Sequence, residues 1–194
     1  ASDVYKRQDI DKVLLFNKIG TLKVLEFCRK HHCKLVYAGS STKFGDGGLG
    51  KDQSPYAWSK SSNTELIINY GNWYNLRYAI VYFYNVYGKG EISIGKYATL
   101  IGVFTEQMKK GIPLTVVSPG TQQRNFTHIE DIVSGLLVVG EKGEGDGYGI
   151  GSPKTHTILE IAQLFGGEIQ MLPERKGNRM MSKVITQKTE ALGW

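Results

Sequence analysis

The stretch Leu76-Arg77-Tyr78-Ala79-Ile80-Val81-Tyr82-Phe83-Tyr84 is a nearly continuous run of β-branched and aromatic side chains. Strands with one solvent-exposed face alternate apolar and polar residues, whereas strands of a parallel sheet, buried on both faces, are apolar throughout. The stretch therefore predicts a central strand of a parallel sheet.

A second strand and two helices are predicted upstream of this run. The second strand is Lys34–Ala38, and apolar residues recur at helical spacing before it, from Val13 to Lys30. Another helix is expected from Pro55 to about Tyr74, because Ser54 is a good N-cap and proline is tolerated at the first helical position. Strand, helix and strand in this order predict a right-handed crossover in an open α/β sheet.

The second half of the chain predicts a smaller lobe of mixed α/β structure. Its expected elements are a helix near Tyr97–Lys110, a strand Leu114–Val117, a helix Ile129–Glu141, a strand Tyr148–Ile150, and a helix opened by the capping box of Thr157 and Glu160. No low-complexity linker separates the two halves. We therefore expect them to share an interface with a cleft between them.

The composition indicates a soluble protein and excludes several classes of partner. The 194 residues are 41% hydrophobic, which suits one ordinary domain with a core. No apolar run approaches the ~20 residues of a membrane span. Cys28 and Cys33 are too few for a disulfide framework and have no second ligand pair, so we expect reduced thiols, no metal and a cytoplasmic location. The net charge of +6 favours an anionic small molecule over nucleic acid, since no nucleic-acid-binding motif is present.

Tyr56 and Lys60 are the candidates for proton transfer. A helix brings positions i and i+4 onto one face, so the Lys60 ammonium can lie beside the Tyr56 ring and favour its phenolate. A tyrosine acting as a base near pH 7 needs its pKa lowered by about 3 units, or roughly 4 kcal/mol. The same spacing also occurs on many solvated helices, so the pair alone does not establish a site.

The segment Gly45-Asp46-Gly47-Gly48-Leu49-Gly50 matches the G-x-G-x-x-G pattern of dinucleotide-binding turns. That pattern requires a strand leading directly into the glycines and a helix opening on them. Here six residues separate Ala38 from Gly45, and the helix opens only at Ser54. A loop over an active site is the better interpretation than a phosphate cradle.

Four motifs, in order and spacing, together resemble a known family. They are Ser40-Ser41-Thr42-Lys43-Phe44-Gly45, Tyr56-x-x-x-Lys60, Phe83-Tyr84-Asn85-Val86-Tyr87-Gly88, and Arg124-Asn125-Phe126-Thr127-His128-Ile129-Glu130-Asp131. The chain resembles the extended short-chain dehydrogenase/reductases that act on nucleotide sugars, and within them is most similar to the UDP-glucose 4-epimerases. The resemblance implies a doubly wound parallel sheet of Rossmann type. Residues 9–92 are then a partial NAD-binding domain, and residues 93–194 mainly a substrate lobe with part of the chain returning to the sheet.

The resemblance also implies roles for residues around NAD. Tyr56 is the acid/base that exchanges the proton of the sugar 4-OH, and Ser40 hydrogen-bonds the same oxygen. Lys60 binds the nicotinamide ribose and lowers the pKa of Tyr56. Asn17 and Tyr84 match positions that contact the cofactor, although Asn17 also fits as a helix polar residue and Tyr84 as a core aromatic.

A further set matches positions that bind the nucleotide sugar. Asn85, Arg124 and Arg175 match positions that grip the diphosphate, which suits arginine because its planar fork bonds phosphate oxygens bidentately. Solvated surface arginines are the alternative. Thr99, Leu100, Thr115 and Val117 match the region around the nucleotide base. Asn178 stands where many members have Asp, which leaves its sugar or ribose contact open.

The residues after Ser40 discriminate between reactions within the family. Sugar 4,6-dehydratases have Asp and Glu there, and decarboxylating relatives have Glu at the position of Thr42. Ser41 and Thr42 cannot titrate near neutrality, so the proton carriers for dehydration are missing. Epimerisation needs only the Ser and Tyr hydroxyls. A 4-keto-sugar reductase and a non-catalytic nucleotide-binding regulatory protein remain the alternatives.

The resemblance begins after the family's fourth strand, so the chain lacks the glycine-rich turn that binds the pyrophosphate. At about 30 residues per βαβ unit, roughly 80 to 100 upstream residues are missing. Residues 1–8 match nothing in the family, and the chain stops inside or just after a helix that the family continues. We therefore expect a fragment that binds NAD poorly, shows no turnover and exposes a sheet edge, from a parent that is a homodimer.

Overall fold

The computed structural model describes residues 10–41, 54–95, 98–174 and 184–194. Helix α1 is α-helical over Ile10–Val13, π-helical over Leu14–Ile19 and α-helical again over Gly20–His31. The following elements are β1 (Leu35–Ala38), α2 (Pro55–Tyr74), β2 (Tyr78–Phe83), β3 (Val86–Tyr87), α3 (Leu100–Lys109), β4 (Leu114–Val117), β5 (Gln123–Asn125), β6 (Thr127–His128), α4 (Ile129–Lys142), β7 (Gly145–Ile150), β8 (Thr155–Thr157), α5 (Ile158–Phe165), β9 (Ile169–Leu172) and α6 (Gln187–Glu190).

A three-stranded parallel sheet in the order β1-β2-β7 forms the centre of the first lobe. Tyr37 pairs with Ile80, and Val81 pairs with Ala38 on one side and Tyr148 on the other. In the described part of the chain β1 is bonded to β2 alone and forms the edge of this sheet. The predicted α/β class, with a parallel Rossmann-type sheet, is confirmed.

Alternate residues of β2 face two different cores, as the period of two along a strand requires. Ile80 and Tyr82 join a cluster with Leu25 of α1 and Ile67 of α2. Ala79 and Val81 pack on the other face against the apolar side of α4. Both faces of the sheet are thus covered by helices, which explains why the strand residues from 78 to 83 are all apolar or aromatic.

The second lobe has a core of its own. It packs α3 and α5 against the parallel pair β4–β9, with Phe104, Leu114 and Ile161 at its centre. The short pairs β3–β6 and β5–β8 connect this lobe to the sheet, and only β5–β8 is antiparallel. The division of the chain at residues 92 and 93 stays a prediction.

Several predicted boundaries differ from the observed ones. The strand expected over residues 76–84 is Tyr78–Phe83, because Asn75 ends α2 in the left-handed region and residues 76–77 make the connection. The helix expected near residue 97 begins at Leu100, where Thr99 provides the N-cap. None of the described helices has both the length and the apolar character needed to cross a membrane.

Candidate active site

Ser40 lies just beyond the carboxyl end of β1, at the edge of the sheet where parallel α/β folds bind ligands. Gly39 makes this position accessible: its N–H donates to Val81 O (2.8 Å), and a Cβ there would lie 2.5 Å from Cε1 of Tyr82. A side chain at residue 39 would therefore collide with a buried ring. The glycine lets the chain pass Tyr82 and present the half-buried Ser40.

Helix α2 begins as the sequence predicts and places Tyr56 in its first turn. The Ser54 Oγ accepts a hydrogen bond from the N–H of Ala57 (3.1 Å), and Pro55 is the first helical residue. Tyr56 is 38% exposed and Lys60 is half-buried one turn later. The two side chains predicted to act together therefore share one end of one helix.

The pKa of Tyr56 is raised from its ordinary value, mainly because burial disfavours the phenolate and secondarily because of the electrostatic influence of Tyr37. The expectation that Lys60 lowers this pKa stays a prediction. The Lys60 ammonium lies over the ring of Tyr37, 4.3 Å from its centroid.

Asn17 lies within the π-helical segment of α1, and π-helical turns are frequent at functional sites. Its Nδ2 donates to Ser59 Oγ (2.9 Å), and its backbone oxygen accepts from Asn63 Nδ2 (2.7 Å). The neighbouring Lys18 donates to Ser62 Oγ (2.9 Å). Asn17 thus joins α1 to the face of α2 that carries the Tyr56–Lys60 pair.

Asn63 is a fully buried member of this cluster that sequence reasoning missed. Its Nδ2 lies within hydrogen-bond distance of Asn17 O (2.7 Å), Thr21 Oγ1 (3.0 Å) and Tyr37 OH (3.2 Å). Its Oδ1 is buried and has no hydrogen-bond partner among the described residues. The signal was available, because residues 56, 60 and 63 follow the i, i+4, i+7 spacing of one helical face.

Asn85 and Arg124 are brought together at the carboxyl edge of the sheet. Asn85 follows β2 with a φ of 38°, a conformation that few non-glycine residues adopt outside turns and functional sites. Its Nδ2 donates to Asn125 O (3.0 Å), and the buried Asn125 donates in turn to the carbonyls of Ser152, Pro153 and Lys154. Arg124 is half-buried beside this linkage and donates to Gln123 O (2.7 Å).

The residues matched to the nucleotide base have structural partners in the second lobe. Thr99 caps α3 by accepting from Gly102 N (3.3 Å) and donates from Oγ1 to the Glu91 carboxylate. Leu100 packs against the second-lobe core. Thr115 Oγ1 accepts from Gln107 Nε2 (2.9 Å), and the half-buried Val117 ends β4. Their roles at a base stay predictions.

Tyr84 lies in the interior and is only 2% exposed. Its hydroxyl accepts a hydrogen bond from Ile185 N (3.3 Å), and its ring contacts the backbone near Gly151, where a Cβ would lie 2.7 Å from Cδ2. Tyr84 is therefore placed as a core aromatic residue, one of the two interpretations that the sequence leaves open. Arg175, Asn178, Thr42 and the glycine-rich segment 45–50 lie outside the described residues.

Cys28 and Cys33 meet at the C-terminal end of α1, where His32 has a left-handed backbone. The last turn contains Arg29, Lys30 and His31, as favourable cations near a helix C-terminus. Within the described ranges, no group of three or more His, Cys, Asp or Glu side chains could hold a metal ion.

The chain resembles known proteins over most of its length. A model of the NAD dependent epimerase/dehydratase family matches residues 5–151. A putative UDP-glucose 4-epimerase of Methanocaldococcus jannaschii is 30% identical over 195 residues, covering 92% of this chain and 63% of that protein. UDP-glucuronic acid decarboxylase 5 of Arabidopsis thaliana is 26% identical over 215 residues, covering 100% of this chain and 62% of that protein.

Among solved structures, UDP-glucose 4-epimerase from Thermotoga maritima, crystallised with UDP-glucose, has a TM-score of 0.85 and 25% identity. The match covers 96% of this chain and 66% of that one. The chain thus spans 62 to 66% of the lengths of these three relatives. These relatives include epimerases and a decarboxylase, so the comparisons identify the family but do not determine the reaction.

Proposed function

Because the chain belongs to the NAD dependent epimerase/dehydratase family, we propose that the protein containing it epimerises a nucleotide sugar at C4 through a 4-keto intermediate. The chain covers 62 to 66% of the lengths of the relatives above, so the proposal concerns the whole protein.

The observation that carries the proposal is the placement of Ser40 just beyond β1 and of Tyr56 and Lys60 in the first turns of α2. β1 delivers the Ser40 hydroxyl to the carboxyl edge of the sheet, and α2 opens with Tyr56 and Lys60 on one face. In the proposed complex, the two hydroxyl groups and the ammonium contact one oxygen of the ligand and the atoms next to it. This is the minimum set for moving a proton to and from a sugar hydroxyl.

The described residues suit the nicotinamide riboside half of NAD. Lys60 supplies an ammonium with three donors, and Asn17 places a polar side chain on the adjoining helix. Ribose hydroxyls are the ligand groups that such donors bind. When bound, NAD supplies a hydride acceptor and donor and a positively charged ring.

Proton transfer by Tyr56 needs its raised pKa brought down in the complex. At an ordinary pKa near 10, only about 0.1% of a tyrosine is phenolate at pH 7. Burial makes the phenolate of Tyr56 rarer still. The ammonium of Lys60 is the protein charge that would favour the phenolate, and Ser40 would share the proton of the sugar 4-OH.

The side chains that follow Ser40 favour epimerisation over the other reactions of the family. Residues 41 and 42 are Ser and Thr, whose hydroxyls neither donate nor remove a proton readily at neutral pH. Dehydration and decarboxylation both call for a carboxylate there. Oxidation and re-reduction of the same carbon need no such group.

The substrate class follows from the diphosphate positions and from the relatives. Arg124 precedes Asn125 on β5. The backbone oxygen of Asn125 accepts a hydrogen bond from Asn85, which follows β2 at the edge of the sheet. A guanidinium fork suits phosphate oxygens. One relative was crystallised with UDP-glucose, which supports a UDP-sugar. Arg175 and Asn178 stay predicted contacts.

The test uses the complete gene product that contains this chain. The purified protein is incubated separately with UDP-glucose, UDP-N-acetylglucosamine and UDP-glucuronic acid, and products are identified by NMR. Tyr56→Phe removes the proposed acid/base. Tyr74→Phe is the matched control, because Tyr74 lies near the other end of α2 and is 52% exposed.

We expect galacto epimers of one or more of these sugars without added NADPH, their loss in Tyr56→Phe and their retention in Tyr74→Phe. Release of CO2 from UDP-glucuronic acid contradicts the proposal and favours a decarboxylase. Product that requires NADPH favours a 4-keto-sugar reductase. Binding of a nucleotide sugar without conversion of any of the three favours a regulatory protein.

A further inference from the structure

The ring of Tyr37 makes a contact with Lys60 that the sequence motifs do not explain. Tyr37 is the third residue of β1 and precedes Ser40 by three positions. Lys60 Nζ lies 4.3 Å from the centroid of its ring. A cation within about 6 Å over an aromatic face is attracted by the negative face of the π-system. β1 therefore leads to Ser40 and also provides the aromatic ring that binds the ammonium of Lys60.

The Tyr37 ring is itself held in place. Its hydroxyl accepts from Asn63 Nδ2 (3.2 Å), and Asn63 is fully buried and also bonded to Asn17 O (2.7 Å). The far end of the ring is thus tied to both α1 and α2. A side chain fixed at its hydroxyl end presents its face in a defined position.

Such a contact restricts the position of the lysine ammonium, because the flexible four-carbon stem otherwise lets this compact charge take many positions. An ammonium that favours the Tyr56 phenolate must stay near it. Tyr37 also influences Tyr56 electrostatically, which places the two rings in the same neighbourhood. The three side chains Tyr37, Tyr56 and Lys60 therefore form one cluster.

Other charges near this cluster have different contacts. On α1, Lys18 donates to Ser62 Oγ (2.9 Å) and lies 5.6 Å from the centroid of the Trp58 ring. On α2, Glu65 acts electrostatically on Lys18. Among the described residues, Lys60 is thus the cation over the Tyr37 ring, and the titratable groups in this region include Tyr37, Lys60, Lys18 and Glu65.

We propose that Tyr37 is a positioning residue whose ring holds the Lys60 ammonium next to Tyr56 for proton transfer. The proposal rests on the proposed function and adds a determinant on β1 that the Ser, Tyr and Lys positions do not include. It predicts that an aromatic ring at residue 37, rather than its hydroxyl, sets how readily Tyr56 gives up its proton.

The kinetic test compares Tyr37→Phe, which keeps the ring, with Tyr37→Leu, which removes it, in the complete protein. In Tyr37→Leu we expect the acidic limb of the kcat profile to move up by about one pH unit, with kcat about 10-fold lower on that limb and restored above it. Tyr37→Phe is expected to keep the limb near its original position. A merely structural role would lower kcat at every pH without moving the limb.

An NMR measurement tests the contact without turnover and without changing Tyr37. In protein labelled with 13C at lysine Cε, the Lys60 resonance is assigned by its loss in Lys60→Arg. We expect upfield ring-current shifts of its ε protons and nuclear Overhauser effects to the Tyr37 ring. Absence of both overturns the proposal, even if Tyr37→Leu fails to fold.

The two proposals fail in different ways. Normal epimerisation by wild-type protein with an unmoved limb in a folded Tyr37→Leu variant removes the role of Tyr37 alone. A limb that moves to lower pH does the same. Absence of conversion of any nucleotide sugar by the wild-type protein removes the proposed function, and the catalytic role of Tyr37 with it, whatever the NMR contact.

Discussion

Asn63 Nδ2 and the backbone oxygen of Asn17 lie 2.7 Å apart, and their hydrogen bond joins α2 to the π-helical segment of α1. A buried amide that serves several acceptors is costly to remove, because the groups that it leaves behind stay desolvated. This bond therefore links the stability of the fold to the helix face that carries Tyr56 and Lys60.

Replacing Asn63 by alanine should lower the free energy of unfolding by about 2–3 kcal/mol, because backbone and hydroxyl oxygens lose a buried donor. Asn72→Ala is the control, since Asn72 is an exposed residue of the same helix and the change in helix propensity is the same. Urea unfolding followed by circular dichroism measures both. Equal effects in the two variants would contradict this role of Asn63.

Gly39→Ala should destabilise the protein by about 1–3 kcal/mol, the usual cost of overpacking. The added Cβ would lie 2.5 Å from Cε1 of Tyr82, whose buried ring cannot swing away because its hydroxyl donates to Asp146 Oδ1 (2.7 Å). Gly140→Ala, in α4 with open space around it, should be neutral or slightly stabilising. Thermal unfolding of the two variants distinguishes them, and a Gly39→Ala protein as stable as wild type would refute the clash.

The stability of the protein should fall as the pH rises from about 10 to about 12. Burial and a hydrogen bond to the Glu26 carboxylate raise the pKa of Tyr70 to about 12. The unfolded chain loses this proton near pH 10, so it binds fewer protons than the folded chain in that window, and rising pH favours unfolding. Burial also raises the pKa of Tyr82, which adds to the same trend.

Tyr70→Phe should therefore lose stability less steeply across that window than wild type. The measurement is the midpoint of urea unfolding at a series of pH values. Tyr87→Phe, a change in β3 and outside the core cluster that contains Tyr70, should retain the wild-type slope. A Tyr70→Phe slope as steep as that of wild type would show that Tyr70 does not contribute.

Cys28 should react slowly with iodoacetamide near pH 8. Burial, followed by its contact with Cys33, raises the pKa of the Cys28 thiol to about 11, so little reactive thiolate is present. Peptide mapping by mass spectrometry gives the alkylation rate, and the same peptide in urea-unfolded protein is the reference. We expect a rate at least about 10-fold lower in the folded protein; equal rates would contradict the burial.

The sequence predicts the main elements of this fold because their signals are local. The apolar run at residues 76–84 and the Ser54–Pro55 start of α2 specify a buried strand and a capped helix without tertiary information. The short pairs β3–β6 and β5–β8 carry no such signal, since two or three residues show no periodicity. The π-helical segment at Leu14–Ile19 likewise does not follow from the helical spacing of its apolar residues.

The candidate site is predictable only as far as its motifs reach. Ser40, Tyr56 and Lys60 follow from a spacing that fixes one helix face and one strand end. Tyr37 and Asn63 act through contacts between β1, α1 and α2, which depend on how these elements pack. The burial that raises the pKa of Tyr56 does not follow from the motif either, because burial is a tertiary property.

The proposed epimerisation oxidises one carbon of a nucleotide sugar and then reduces it again with the same hydrogen. The most direct measurement incubates the complete protein with UDP-glucose deuterated at C4 and examines the product by NMR. We expect a galacto epimer that retains deuterium at C4 and that fails to form in Tyr56→Phe. An epimer with solvent hydrogen at C4, or one formed equally well by Tyr56→Phe, would contradict it.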